Sequence, residues 1–533
     1  MPKSSWKYYL LLLLLVMGCR KIIQEPLWDV DLLAPLAVST LSITDLVQDS
    51  LISVDADNSL KLVYDNNVFS LKLDSLFEIP DTAIANTFSL PISITVPAGA
   101  KFLDNTTETR YQLQGVELTQ ALIRTGSAEV NLINDTDEGI LFTYTIPIAI
   151  KDGDTLRISE FIAAQSTLTK TLDLAGYSLD LRGEDLNDFN TLVTNVTATM
   201  NPAAFGPYTI KQTDIVTSST VFSDIVPEHA VGYFGDRSFS ISADTVGADI
   251  FKNIPSGSFD FNQFDVTLEL RNSIGAELSA NISRLVSINE AQNDTATLQH
   301  AFIGTEIFVD RAAEVFSTYP PVSTSNHIIQ LDQTNSNLDE LIENRPDLFG
   351  YTIDLQINPL GNVSNGHDFV YYNTGIDLFL SAEIPICISA EDLVFIDTVE
   401  FNLSDDDKTA REQGDRVQSG NLILYADNGY PFHAGIQLFL LDSNMTLLDS
   451  LAAPGSAIAS APLNGQLRVE TPQRSVVYLP VNSEKIDRLY EASHILFKVT
   501  FTTADQPNFV KIYDDYLIDL KLVGDIRYEV NIN

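Results

Sequence analysis

"SAEVNLINDTDEGILFTYTI" (127–146) decides the fold. Apolar and polar residues alternate on both sides of a short polar stretch, the period-two pattern of two half-buried strands joined by a turn. The pattern returns as "QFDVTLELRNSIGAELSANI" (263–282) and "GNLILYADNGYPFHAGIQLFL" (420–440), and each copy places an asparagine, Asn134, Asn272 or Asn428, where the first strand gives way to the turn. These positions are 138 and 156 residues apart. That is too long for a solenoid unit and right for a domain.

Other segments repeat in step with the first. "NHIIQLDQTNSNLDELIENRPDLFGYTIDLQI" (326–357) matches "RSVVYLPVNSEKIDRLYEASHILFKVTF" (474–501), and both read as strand, one short helix, strand. Asn335 or Ser336 suits the N-cap of the first helix and Asn482 or Ser483 that of the second, with acids in the first turn. "SLDLRGEDLNDFNTLVTNVTATMNP" (178–202) is the corresponding piece of the earliest copy, its "TMNP" echoing "QINP" (356–359). A closing strand recurs in "FVYYNTGIDLFLSAEI" (369–384) and "FVKIYDDYLIDLKLVGDI" (509–526), with Ile-Asp-Leu-x-Leu shared at 376–380 and 518–522.

Shorter signals agree. "LISVDADNSLKLVYD" (51–65) predicts a hairpin about Asp57-Asn58, and "PIAIKDGDTLRIS" (147–159) another about Asp152-Gly153, a dipeptide that suits primed turns. The expectation is a mainly β chain of tandem β-sandwich-like domains, each with one short helix. Their bounds fall at 119–250, 251–390 and 391–533, behind an N-terminal all-β domain at 28–118.

The first residues carry a different message. In "KYYLLLLLLVMGCRKII" (7–23), ten consecutive apolar or aromatic residues from Tyr8 to Met17 fall short of the roughly 20 a membrane-spanning helix needs. Lys3 and Lys7 before the run and Gly18 after it give the order of a secretory signal peptide, assigned to 1–18. Val16-Met17-Gly18-Cys19 resembles the lipobox of bacterial lipoproteins, in which the cysteine thiol is diacylglycerylated, the signal is cut before it and the new amine is acylated. The resemblance implies lipidation at Cys19, a lipidated tether at 19–27 and attachment to a membrane through acyl chains, each buried methylene contributing ~0.8 kcal/mol. Arg20 stands where an Asp would favour inner-membrane retention in that family, which points to the outer membrane and leaves its periplasmic face and the cell surface both open. "WDVDLLAPLAVSTLSITDLV" (28–47) and "VKIYDDYLIDLKL" (510–522) resemble uncharacterised acidic lipoproteins of Bacteroidota, a likeness that carries no catalytic motif.

Charge bounds the partners. The chain holds 31 basic and 72 acidic side chains, a formal charge of −41 that becomes −43 when Lys3 and Lys7 leave with the signal. Such a body forgoes the counterion release that drives nucleic-acid binding, so no nucleic-acid partner is expected. With 45% hydrophobic and 19% charged residues, the chain has the composition of a globular protein.

Candidate chemistry is sparse. Six histidines (229, 300, 327, 367, 433, 494) show no metal-binding spacing, and no nucleophile elbow or phosphate loop is present. Cys387, the cysteine other than Cys19, lies in "AEIPICISAED" and reads as an inward, inert strand thiol. "NLSDDDKTAREQGD" (402–415) offers Asp405, Asp407 and Asp415 as the nearest approach to a Ca²⁺ site, but Thr409 and Ala410 break the loop pattern and a solvated loop is the simpler reading. Tyr371-Tyr372 and Trp28 are aromatic enough to stack on a sugar, yet adjacent strand residues face opposite sides, which puts one tyrosine in the core.

No catalytic, cofactor or metal residue is therefore assigned, and an enzyme is not expected. The primary reading is a lipid-anchored outer-membrane lipoprotein acting as a non-catalytic interaction or scaffold subunit, with an outer-membrane protein as partner. A cell-surface glycan-binding lipoprotein is the alternative, recognised by an exposed aromatic platform. An extracytoplasmic glycoside hydrolase, which needs two carboxylates converging in a cleft, comes third.

Overall fold

The computed structural model describes residues 27–45, 47, 51–72, 76–247, 256–401, 416–452, 457–503 and 509–531. The signal at 1–18, Cys19 with the tether as far as residue 26, and Asp405, Asp407 and Asp415 lie outside these residues. The chain is mainly β, in antiparallel sheets. The described residues form two compact units. One comprises the chain as far as Lys61, the stretch ending at Asn262 and everything from Pro385 onward, and the other comprises Leu62 to 247 and Gln263 to Ile384.

The N-terminal segment forms β1 (Leu27–Ser42), β2 (Leu60–Lys72), β3 (Thr82–Ser89) and β4 (Lys101–Arg110). The first repeat follows with β5 (Glu117–Asn134), β6 (Ile140–Lys151), β7 (Asp154–Ile162), β8 (Ser166–Asp173), β9 (Thr191–Met200) and β10 (Ile215–Tyr233). The second has β11 (Arg237–Gly247), β12 (Asp265–Asn272), β13 (Leu278–Asn289), β14 (Asp294–Thr297), β15 (Ser325–Leu331), α1 (Leu338–Glu343), β16 (Leu348–Ile357), β17 (Asp368–Tyr371) and β18 (Gly375–Pro385). The third has β19 (Leu393–Glu400), β20 (Arg416–Asn428), β21 (Phe432–Leu441), β22 (Leu447–Ala452), β23 (Gln473–Val481), α2 (Ser483–Glu491), β24 (His494–Thr503) and β25 (Leu517–Asn531).

One pairing scheme serves all three repeats. The strand that ends in the repeat asparagine lies in a sheet ordered β3-β10-β5-β8, β2-β18-β12-β15 or β1-β25-β20-β23. The strand after the turn lies in a second set of strands, ordered β4-β9-β6-β7, β11-β16-β13-β14 or β19-β24-β21-β22, which is a separate sheet in the second and third repeats and part of the same ten-stranded sheet in the first. In the second and third repeats the turn is thus an arch that carries the chain from one layer to the other, whereas in the first the short strand Ser178–Asp180 links β5 and β6 edge to edge. The Asp152-Gly153 hairpin joins β6 to β7 as read, with both residues at positive φ.

The segment set apart in the sequence as 28–118 is spent on edges. β1 pairs with β25 of the third repeat, β2 with β18 of the second, and β3 and β4 with β10 and β9 of the first. Each sandwich layer that ends on one of these strands has its outermost ladder satisfied by chain from far upstream.

The asparagines explain why the scheme recurs. All three are fully buried, each the last residue of its strand. Asn134, Asn272 and Asn428 lie opposite Val216, Ile376 and Ile518, and the next residue donates its N–H to the carbonyl just before that partner, at 3.1, 2.9 and 2.8 Å. The side chain then closes the arch. Asn428 Oδ1 accepts from the Tyr430 N–H at 2.9 Å, and its Nδ2 donates to the carbonyls of Phe432 (2.8 Å) and Ala459 (2.9 Å). Asn272 Oδ1 accepts from Ile274 N–H at 3.0 Å, and Nδ2 donates to Ala276 (2.8 Å) and Asp310 (3.0 Å). Asn134 Oδ1 accepts from Thr136 N–H at 3.0 Å, and Nδ2 donates to Glu138 and Ala163, both at 2.9 Å. The same atoms bond residues i+2 and i+4 and one carbonyl from a distant strand end.

The Asn-Pro echo has the same kind of cause. Asn201 and Asn358 follow the last residues of β9 and β16 and donate their backbone N–H to Gly139 and Glu277, the residues just before β6 and β13.

Helices fill the expected place in the second and third repeats. Asn482 caps α2, its side chain accepting from Lys485 N–H at 3.0 Å, and Ile486 and Leu489 are buried beneath it. α1 begins after Asn337 rather than Asn335, which instead accepts from Asp332 N–H in the preceding turn. In the first repeat the corresponding stretch is a run of turns, because Leu186 and Asn190 take positive φ and a helix cannot propagate through them.

Core packing follows the alternation. In the third repeat Leu422, Leu424, Ile518, Leu520, Ile495, Phe497 and Phe501 have essentially no exposed surface. Phe395 and Phe501 meet edge to face at 4.9 Å between centroids, and Tyr430 and Tyr516 at 5.9 Å. Each such side chain contributes about 1.5–3 kcal/mol by leaving water.

Replacing Asn428 by Ala orphans one buried N–H and two buried carbonyls and should lower unfolding stability by about 2–4 kcal/mol, read as a fall in the urea midpoint. Asn428→Asp keeps the acceptor but turns a carboxylate onto two carbonyl oxygens. That raises the folded-state pKa of the new group. The variant's stability should therefore be greatest below the unfolded aspartate value of about 3.9 and fall as pH rises through the folded value, the reverse of a salt-bridged aspartate. A flat pH profile for the difference between Asn428→Asp and the parent would contradict this account of the arch.

Candidate binding face of the C-terminal sandwich

The strands β1, β25, β20 and β23 point one row of side chains into the aromatic core and the alternate row outward. Their register arranges the outward row in three lines across the sheet. Thr40, Asp519, Asp427 and Arg474 form one line, Val38, Lys521, Tyr425 and Val476 the next, and Pro35, Val523, Ile423 and Tyr478 the third. Val38 is 61% exposed and Tyr478 62%, while Ile423 and Val523 are each 7% exposed.

The polar line sets two aspartates against one arginine. Asp427 and Asp519 face each other across the β20/β25 ladder, an unfavourable pairing of like charges. Arg474 answers it with a bidentate contact, Nε to Asp427 Oδ1 at 2.7 Å and Nη2 to Oδ2 at 2.6 Å. This guanidinium holds the Asp427 carboxyl below its ordinary range, and the carboxylate in turn raises Arg474. Thr40 Oγ1 donates to Asp519 Oδ1 at 2.6 Å. Lys521, two residues along β25, makes no ion pair with a described residue. A depression of about 400 Å³ lies over this region, lined by Val38, Tyr425, Asp427, Arg474, Asp519 and Lys521 among others. An Arg–Asp ion pair, an ammonium without an ion-pair partner among the described residues and the Tyr425 phenol at the depression, with Tyr478 on the next strand, equip the face to hold a ligand by stacking and hydrogen bonds.

The residues singled out from the sequence lie elsewhere. Tyr371 and Tyr372 are both half-buried, and neither enters the core, because β17 ends at Tyr371 and a turn closed by Thr374 N–H to Tyr371 O breaks the alternation. Tyr371 stacks on His229 at 4.2 Å and donates to Glu314 at 2.7 Å, and Tyr372 receives the Arg124 guanidinium at 4.1 Å. His229 Nε2 is 3.4 Å from Glu314 Oε1, an electrostatic contact without hydrogen-bond geometry, and burial lowers the His229 pKa against the pull of Glu314. The remaining histidines are dispersed. His300 Nδ1 accepts from Phe302 N–H two residues on, and His433 Nδ1 accepts from Ser460 N–H, 27 residues on.

Cys387 is half-buried rather than inward, because Ile386 and Ile388 take the core side of that strand, and burial raises its thiol pKa. The backbone of Trp28 pairs with Val530. Among the described residues no group of three or more His, Cys, Asp or Glu is placed to hold a metal ion, and no helix is long and apolar enough to cross a membrane.

Sequence reading passed over Tyr425 and Tyr478. The signal was available, since "LILYADN" and "SVVYLPV" keep apolar residues at outward as well as inward positions, and a strand with one solvated face carries polar residues there.

No family model matches the chain, and no curated protein matches it. Solved structures similar to it include a crystal structure of a candidate secreted protein of Parabacteroides distasonis ATCC 8503, 12% identical, covering 95% of this chain and 100% of that one with a TM-score of 0.32. A triple jelly-roll protein of an archaeal virus is 12% identical over 86% of this chain and 93% of its own, with a TM-score of 0.12.

Proposed function

We propose that the chain is a lipid-anchored, non-catalytic binding subunit of a bacterial outer membrane, tethered through Cys19 and engaging its ligand or partner on the outer face of the C-terminal sandwich. The observation that carries this reading is the composition of that face. Exposed Tyr478, Val476 and Val38 adjoin a polar line in which Arg474 pairs with Asp427 and Thr40 donates to Asp519, on a sheet whose other side is closed core. Groups committed in this way are suited to holding a molecule in place. Proton transfer would instead require a carboxylate poised against the reacting bond, and both oxygens of Asp427 are occupied by Arg474. Support for the anchor comes from the sequence, where Cys19 directly follows the apolar run and Gly18.

Growth with an alkyne-tagged fatty acid should label the parent protein and leave Cys19→Ser unlabelled, and the variant should move from the membrane pellet to the soluble fraction. Labelling that survives the substitution would refute the anchor. Detergent extraction of the lipidated protein should recover a partner in fixed ratio, and repeated recovery of the chain alone would count against a subunit role.

A further inference from the structure

We propose that the ligand of this face is a neutral polysaccharide, with sugar rings lying against Tyr425 and Tyr478. The proposal rests on the binding-subunit reading above and adds the ligand class. Tyr425 pairs with Val476 and Ile423 with Tyr478, so the two tyrosines are diagonal neighbours on adjacent strands, roughly 7–8 Å apart on one face. Neighbouring tyrosines on the outward face of one sheet offer aromatic surface to the same ligand. The apolar C–H faces of pyranose rings stack on surfaces of this kind, and the phenol oxygens remain free to bond hydroxyls at the edge.

The polar groups fit the same ligand. Asp519 spends Oδ1 on Thr40 and keeps Oδ2, and Lys521 stands two positions along the strand, about 6.6 Å away by strand rise. One acceptor and one donor thus flank Tyr425 from β25, suited to hydroxyls on successive carbons or successive sugars. Charge selects against acidic polymers. On the face itself Arg474 and Lys521 balance the two aspartates, but the body carries a formal charge of −41, so an anionic chain meets repulsion on approach, while a neutral one does not.

The test uses the full-length lipoprotein in mild detergent, run in native gels cast with amylopectin, dextran, arabinoxylan, galactomannan or mixed-linkage β-glucan. At least one polymer should retard the parent. Tyr478→Ala and Tyr425→Ala should each weaken that retardation about tenfold or more. Tyr478→Phe, which keeps the ring, should stay near the parent, and Phe205→Ala, an exposed aromatic in the other unit, should have no effect. Urea midpoints equal to the parent's establish that the variants fold. No retardation by any of the five, or retardation untouched in a folded Tyr425→Ala/Tyr478→Ala double variant, overturns the proposal. Either result with fatty-acid labelling and partner recovery intact overturns the sugar assignment alone. If those are lost as well, the binding-subunit reading falls with it.

Discussion

A buried carboxamide at the end of a strand is the constraint on which each sandwich depends. When the chain leaves one sheet for the other, the last residue's neighbours must turn inward with unpaired backbone groups, and water cannot reach them. A single planar group with an acceptor on one atom and two donor hydrogens on the other meets that need. At Asn272 and Asn428 it satisfies the N–H two residues on, the carbonyl four residues on and one carbonyl from a distant loop. Aspartate lacks the donors, serine has one, and glutamine sets its amide a methylene too far out. The third bond matters most for the fold as a whole, because it fixes a loop 28 to 38 residues downstream against the arch.

Much of this was legible before any coordinates. The asparagines stand out because each interrupts an alternating run at the same place, and the Ile-Asp-Leu-x-Leu strands turn out to lie in identical register to them, Ile376 opposite Asn272 and Ile518 opposite Asn428. What the first repeat offers instead is "IVTSST", where Val216 meets the same requirement. The register asks for an apolar residue on the inward side and is indifferent to the rest, so no motif survives to be read. The edge strands were illegible for a related reason. β1, β2 and β3 carry ordinary half-buried alternation, and nothing in it says which distant strand completes the ladder. The binding face escaped notice because the alternation rule was applied to find cores, and Tyr425 and Tyr478 sit on the other side.

The distribution of edges has a kinetic side. β1 and β25 join residues 475 to 504 positions apart, nearly the whole chain. Closing such a loop costs entropy before any contact repays it, and pairings of this span are slow to form. Until they form, β25 presents an open ladder, and its burial by β1 is one of the last events that can protect the third sandwich from pairing with another chain.

The same ladder also bears on mechanics. Under the proposed attachment at Cys19, seven residues lie between the acylated cysteine and Leu27, the first paired residue of β1, and the eight steps reach at most about 29 Å. Any drag on the protein body then arrives at the membrane through β1, along the axis of the strand. Its fifteen register pairs with β25 share such a load in shear instead of opening one at a time, so the strand that completes the last sheet also serves as a mooring line.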